Sequence, residues 1–509
     1  MSPHSATFVA HALSLSALHG PGPWPCDGYP LPDEPPNETG RSVLPSVVYD
    51  GVSTHHFGTG AQPVADLTDR ILADLDDPAR LLEHFAGIRA VSVADDLVGE
   101  LRSRHFPREK LRNAARFVTE NATRREAAKL GIVLLGTCGD ERDRELLQLL
   151  GSLEEFALFA VVALMNTQPH PHRAVFELAQ RLEGWGRIHA VERLKGCADP
   201  DITAWLLRGG FRNGVMNEYL AHLAATTGGL YEALLEDDVD DALIDGAADI
   251  LNALAKGGPA EDMHDYEDAV PAMHRFAEHL ARAQPTLGRL DAALTLERLV
   301  SGDDFDWPDG EPARLRARYT SLTAQPRWRE LVASELARVD SAAEPRGARR
   351  SYAFEVALSC AGRLGMNAFP NALARLRFDH HNAYVWQWAM RHADQVTVEQ
   401  VVGLAEQLLP LDQLATGPSE ALGLGPDYQA DTVLETIVWN LRDHPGHGHA
   451  LLPVALANRV VRCRRAVLTV LDAWPPQARP SQARGWVTAA VERETNAKLR
   501  ADMLAFLEG

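Results

Sequence analysis

From about residue 66 onward, apolar side chains recur at three- and four-residue intervals, the period of an amphipathic helix. In DLTDRILADLDDPARLLEHF, Leu67, Ile71 and Leu75 fall on one face; Asp77 and Pro78 then predict a cap and an N1 proline opening the next helix. The same alternation of periodic segment and short turn continues to the C-terminus. Among the later segments are RELLQLLGS, DALIDGAADILNALAKG, SYAFEVALSCAGRLG, NAYVWQWAMRHAD and KLRADMLAFLEG.

The densest stretch runs from Leu153 to Gly210 and predicts four helices in succession. In LEEFALFAVVALM, Phe156, Ala160, Ala163 and Leu164 share one face, and Leu158, Val161, Val162 and Met165 another. A helix apolar on nearly all sides must be covered on nearly all sides. HRAVFELAQRL is its amphipathic partner. GRIHAVERLKG then places Ile188, Val191 and Leu194 on one stripe, and Asp199 with Pro200 opens ITAWLLRGG. Segments of about ten to fifteen residues joined by short turns predict antiparallel neighbours stacked in order. The repeat is irregular, at roughly 30–45 residues per helix pair, which suits HEAT-like hairpins better than a tetratricopeptide array. The predicted fold is all-α, an α-solenoid of such hairpins.

Two stretches break the pattern. Residues 1–62 contain PGPWPCDGYPLPDEPP, too rich in proline for a helix, and RSVLPSVVYDGVSTHHFGTG, with the Val, Tyr and Thr content of a strand or extended hairpin. They predict an irregular N-terminal arm, held down by Trp24, Tyr29, Tyr49 and Phe57. Residues 303–312 form an acidic loop in GDDFDWPDGEP, so helical repeats are expected over 63–302 and again over 313–509.

Composition narrows the function. Of 509 residues, 46 % are hydrophobic but only 7 % aromatic, a balance that favours helix over sheet. The formal charge of −20 repels phosphate backbones and argues against nucleic acid as the main ligand. The short basic runs at 314–319, 346–350 and 462–465 are accordingly read as solvated helix ends. Five cysteines, Cys26, Cys138, Cys197, Cys360 and Cys463, are odd in number and never in CxxC spacing, which fits a reducing cytoplasm without disulfides or structural zinc. ATFVAHALSLSAL lacks a basic leader and contains His11, so it reads as a helix or strand end rather than a signal peptide, and no run of about 18 apolar residues predicts a membrane span.

Residues 184–224, GWGRIHAVERLKGCADPDITAWLLRGGFRNGVMNEYLAHLA, resemble a bacterial HEAT-repeat family often labelled limonene hydroxylase; EEFALFAVVALMN and DGVSTHHFG are similar as well. The resemblance implies an α-solenoid and brings no catalytic motif with it. Its label implies hydroxylation of a small apolar molecule, which requires an oxygen-activating centre such as haem, flavin or non-haem iron. No cysteine sits in a haem-thiolate setting, and no GxGxxG follows a strand. For iron, His392 and Asp394 form an HxD pair that His444, His447 or His449 could complete, and Glu261 with His264 forms one ExxH where a di-iron site needs two.

The pairs His55–His56, His170–His172 and His380–His381 could also ligate a metal, but each reads more simply as solvated or capped histidines. Asp303, Asp304, Asp306, Asp309 and Glu311 resemble a calcium loop in composition only. GxSxG, HExxH and Walker A sequences are absent. The sequence therefore predicts neither cofactor nor metal.

A solenoid commonly holds a protein or peptide in its groove. The aromatic and polar residues that stand off the apolar stripes are Trp185, Arg187, Arg208, Arg212, Asn213, Asn217 and Tyr219, with Trp205 beside them. Tyr, Trp and Arg dominate binding energies. The expected function is thus a cytoplasmic interaction scaffold with a protein or peptide partner. The alternative is an enzyme acting on a small apolar substrate.

Overall fold

The computed structural model describes residues 6–25, 29–34, 45–57, 62–302, 305–338 and 348–508, with 348–351 described by backbone alone. All regular structure among them is helical, apart from one isolated bridge between Ala421 and Val460. Among the described residues no helix is long and apolar enough to cross a membrane. The chain divides into two compact units. Of the described residues, the first takes in those up to Gln284 together with those of Thr295–Leu322, and the second Pro285–Leu294 together with those from Thr323 onward.

The first unit is built around the Glu154–Thr167 helix, which packs against Arg125–Cys138, Arg144–Gly151, Pro171–Ala179 and Gly184–Glu192. Its sequence explains the position. Phe156, Ala157, Ala160, Val161, Ala163 and Leu164 are buried, while Leu158, Val162 and Met165 are half-buried. Small residues let neighbours close in: a Cβ on Gly136 would lie 3.1 Å from the Ala163 Cα, and one on Gly151 would lie 2.8 Å from the Ala160 Cβ. Arg108–Asn121 and Arg125–Cys138 pack against each other across a short turn.

The N-terminal Phe8–His19 helix docks on this core through Phe8, whose ring meets Phe156 edge-on at 4.9 Å. Both rings are fully buried, each contributing about 2–3 kcal/mol by burial. Asp199 caps the Pro200–Trp205 helix by accepting from the Asp201 N–H at 3.0 Å. The helix expected to open at Pro78 starts one residue later, Ala79–Phe85 with Pro78 at its N-cap and no side-chain cap, and packs on Arg108–Asn121 and Arg125–Cys138.

The second unit buries Trp328, Trp386 and Trp474 completely. Gln429–Asn440 packs against Ala383–Arg391 and Val461–Ala473, and the last of these also meets Ala497–Glu508. The Trp474 indole N–H donates to the Leu441 carbonyl at 2.8 Å, which satisfies the one polar atom of a buried ring.

Two local expectations are corrected. The stretch expected to be a strand or extended hairpin is a helix, Ser46–Val52, continued by a π-helical turn, Ser53–Phe57. The β preference of Val47, Val48 and Tyr49 gives way to packing on the Glu154–Thr167 and Gly184–Glu192 helices and to the pairing of buried Asp50. In the basic run at 462–465, Arg464 is buried rather than solvated, because it pairs with Glu494. The remainder of the arm, residues 1–5, 26–28, 35–44 and 58–61, lies outside the described residues, as do Asp303, Asp304 and the side chains of the 346–350 run. Cys138, Cys197, Cys360 and Cys463 are buried and unbridged; Cys26 lies outside the described residues.

Candidate functional site

The Ser46–Val52 helix is fixed to the first unit by buried charge. Asp50 accepts from Lys129 Nζ at 2.7 Å and from Arg89 at 3.1 Å, and the Ser46 hydroxyl donates to the Glu155 carboxylate at 2.7 Å. Gly51 lies against the Trp185 ring so closely that a Cβ there would come within 2.3 Å of it. With both points held, the π-helical turn directs His55 toward the Gly184–Glu192 helix.

That helix is also secured at its start. The Glu154 carboxylate accepts from the Trp185 N–H at 2.7 Å, and the Gly184 N–H donates to the Asn213 carbonyl at 2.7 Å. Gly184 takes φ +60, a conformation that favours glycine. His189 and Glu192, three residues apart, therefore share a face that His55 meets.

The His55 Nδ1–H donates to the Gly51 carbonyl at 2.8 Å, and Nε2 lies 2.8 Å from Glu192 Oε1. The hydrogen bond to Glu192 raises the His55 pKa; burial opposes it and the Gly51 carbonyl assists it. His189 is 4 % exposed and its Nδ1 is 4.0 Å from Glu192 Oε2. Burial lowers its pKa to about 4, so this imidazole is neutral at pH 7. Trp185 and Tyr219 wall the group, with ring centroids 5.3 and 5.4 Å from that of His55. The Tyr219 hydroxyl and His56 Nε2 are hydrogen-bonded at 2.8 Å, and burial raises the phenol's pKa, helped by the Glu192 charge. A hydrogen-bonded imidazole–carboxylate pair thus sits beside a neutral buried imidazole, an arrangement suited to proton transfer or to metal ligation.

The sequence-derived binding residues separate into two groups. Trp185 and Tyr219 line this centre, and Asn217 opens the short turn that carries Tyr219. The others are held by intramolecular partners. Arg187 donates to the Leu182 and Gly210 carbonyls and stacks over Trp205, Arg208 pairs with Asp240, and Arg212 pairs with Asp249 at 2.6 Å. Asn213 is buried; its Oδ1 accepts from the Val215 and Met216 N–H groups, and its amide donates to the Phe211 and Met216 carbonyls. Trp205 meets Phe176 edge-on at 5.1 Å.

The histidines weighed as iron ligands are engaged separately. His392 stacks on Trp388 at 4.0 Å, Asp394 accepts from Val396 and Thr397 at a helix start, and His444 bonds the Met390 carbonyl. His264 pairs with Asp262 and Glu261 with Lys195, while the His380 and His381 rings meet at a tilt, 4.2 Å apart. From the acidic loop, Glu311 pairs with His274 at 2.7 Å. Among the described residues His55, His189 and Glu192 form the one group of three placed to share an ion. Sequence reasoning named His55 but not its partners; the HxxE spacing in IHAVE was their only signal.

Comparison with protein-family models, with curated proteins and with solved structures finds no match to this chain.

Proposed function

We propose that the hairpins within each unit stack as HEAT-like repeats and that the protein is an interaction scaffold, with a protein or peptide partner seated on the first unit beside Tyr219. One observation carries this reading. Phe57 is 80 % exposed, Met216 42 % and Val215 40 %, on two segments that the His56–Tyr219 hydrogen bond ties together. Large apolar side chains grouped at a surface mark contact sites. These are also ordered in advance, because Asn213 fixes the backbone of Val215 and Met216 while Asp50 and Gly51 anchor the helix before Phe57. Pre-ordering lowers the entropic cost of binding.

The test places the photocrosslinker benzoylphenylalanine at position 57 in cells that make the protein. A discrete adduct of defined mass is expected, and adding Met216→Asp should abolish it. The same probe at Leu18, 66 % exposed and in the same unit, is the control. Equal or equally diffuse labelling at the two positions defeats the scaffold reading. The second reading, an enzyme acting on a small apolar substrate, is favoured by the His55–Glu192 pair lying against the Trp185 and Tyr219 rings.

A further inference from the structure

We propose that His55, His189 and Glu192 form a binding site for a divalent first-row transition ion, zinc foremost, held by His55 Nε2, one ring nitrogen of His189 and one carboxylate oxygen of Glu192.

The distances fit such a site. The three ligand atoms lie within 4.8 Å of one another, with His55 Nε2 at 2.8 Å from Glu192 Oε1. Zinc–nitrogen and zinc–oxygen bonds of about 2.0–2.2 Å at tetrahedral angles put neighbouring ligand atoms roughly 3.3–3.5 Å apart. The observed separations bracket that value, so side-chain adjustments of about an ångström bring all three to one ion.

His189 supplies an independent observation. It is nine-tenths buried, its ring faces that of His55 at 5.3 Å, and its Nδ1 stands 4.0 Å from Glu192 Oε2, too far for a hydrogen bond. Buried imidazoles normally find a polar partner at hydrogen-bond distance. An ion shared with His55 and Glu192 gives that nitrogen its partner.

The surroundings of His55 match the usual support of a histidine ligand. Its Nδ1–H is taken by the Gly51 carbonyl, which orients the ring and leaves Nε2 as the coordinating atom. Gly51 is itself pressed against Trp185, so the carbonyl is not free to turn away. A π-helical turn, a distortion often found where a side chain must be aimed, carries the ligand.

The donor set decides the class of ion. Two imidazoles and one carboxylate suit zinc and its neighbours in the first row, whereas magnesium and calcium require mostly oxygen. Three protein ligands leave at least one coordination position for water or a bound molecule.

The full-length chain, stripped with EDTA and checked for helicity by circular dichroism, is titrated with Co2+ and followed by its visible ligand-field absorption. Zn2+ is then added calorimetrically. One ion per chain is expected, with Zn2+ displacing Co2+ and Mg2+ displacing neither. His55→Ala and Glu192→Gln should each weaken Zn2+ binding by at least about tenfold, the loss typical even for residues that only support a ligand. His449→Ala, in an exposed loop of the second unit, should leave it unchanged. Because His189 is buried and its removal could unfold the chain, the two part-exposed positions decide the outcome. Absence of stoichiometric binding in the wild type, or wild-type affinity in both variants, overturns the site.

Discussion

Each unit of the molecule buries a cation among carboxylates, and the two clusters are wired differently. In the first, Lys129 is 0 % exposed and faces three acids: Asp50 and Glu155 at 2.7 Å and Glu126 at 3.3 Å. Arg125 joins the same network through Asp33 at 2.8 Å and Glu155 at 3.6 Å. In the second, Arg464 meets one acid, Glu494, through two parallel bonds of 2.7 Å, and its remaining nitrogen donates to the Asn458 carbonyl. The second is a closed pair joining the Val461–Ala473 helix to the connection before Ala497–Glu508. The first joins the N-terminal segment to helices about 80–110 residues away and ends one turn before His55. One cluster holds a fold together; the other positions a site.

The comparison breaks most readily at Lys129. Lys129→Met leaves three buried or half-buried carboxylates without their shared cation, for an expected loss of about 5 kcal/mol, the upper end for a broken buried pair. Guanidinium denaturation measures it. The Ser46–Val52 helix would lose its anchor, so Zn2+ binding and crosslinking at position 57 should fall with it. Wild-type stability in this variant would mean that the acids are hydrated or neutralised some other way.

At Arg464 the expected effect is smaller and correctable. Arg464→Leu strands the Glu494 charge and removes the donor to the Asn458 carbonyl, at a cost of about 3 kcal/mol, and the double variant Arg464→Leu/Glu494→Leu should recover most of it, since apolar replacement of both partners removes the stranded charge. Zn2+ affinity should stay at the wild-type level in both. If the double variant is no more stable than the single, the pair holds the Val461–Ala473 helix in a way that simple charge burial does not describe.

How much of this was legible in the sequence differs between the regions for the same reason. The apolar stripes of Glu154–Thr167 and its neighbours predicted helices because burial follows a local period. Asp199 with Pro200 was readable because a cap acts within three residues. The Ser46–Phe57 segment misleads because local β preference points one way while partners at Lys129, Glu155 and Trp185, far along the chain, decide the other. The centre was half visible. Trp185 and Tyr219 stood out as residue types, and His55 as half of a His pair, but it took the fold to bring His55 to His189 and Glu192. Arg187 and Asn213 stood out equally, and their roles in holding backbone could not be told from spacing.

The finest separation of the two clusters is by pH. Burial opposes the Lys129 charge, but Glu155, Asp50 and Glu126 outweigh it and raise the pKa above the ordinary lysine value. Its contribution is therefore complete below the unfolded value of about 10.4 and is lost as pH rises through the folded one. Burial pushes the Glu494 carboxyl up, but hydrogen bonds from Arg464 and the Asn496 N–H outweigh it and hold the pKa below the ordinary glutamate value. Its contribution is complete above the unfolded value of about 4.3 and is lost as pH falls through the folded one. This acid-side loss should be smaller than the cost of Arg464→Leu, because a protonated Glu494 strands no carboxylate and still offers an oxygen to the guanidinium. Denaturation midpoints between about pH 3 and 6 should therefore flatten in Glu494→Gln, while the alkaline limb persists until Lys129 is replaced. If Glu494→Gln keeps the full acid limb, that loss arises outside the closed pair, and Glu494 does not set the acid limit of the fold.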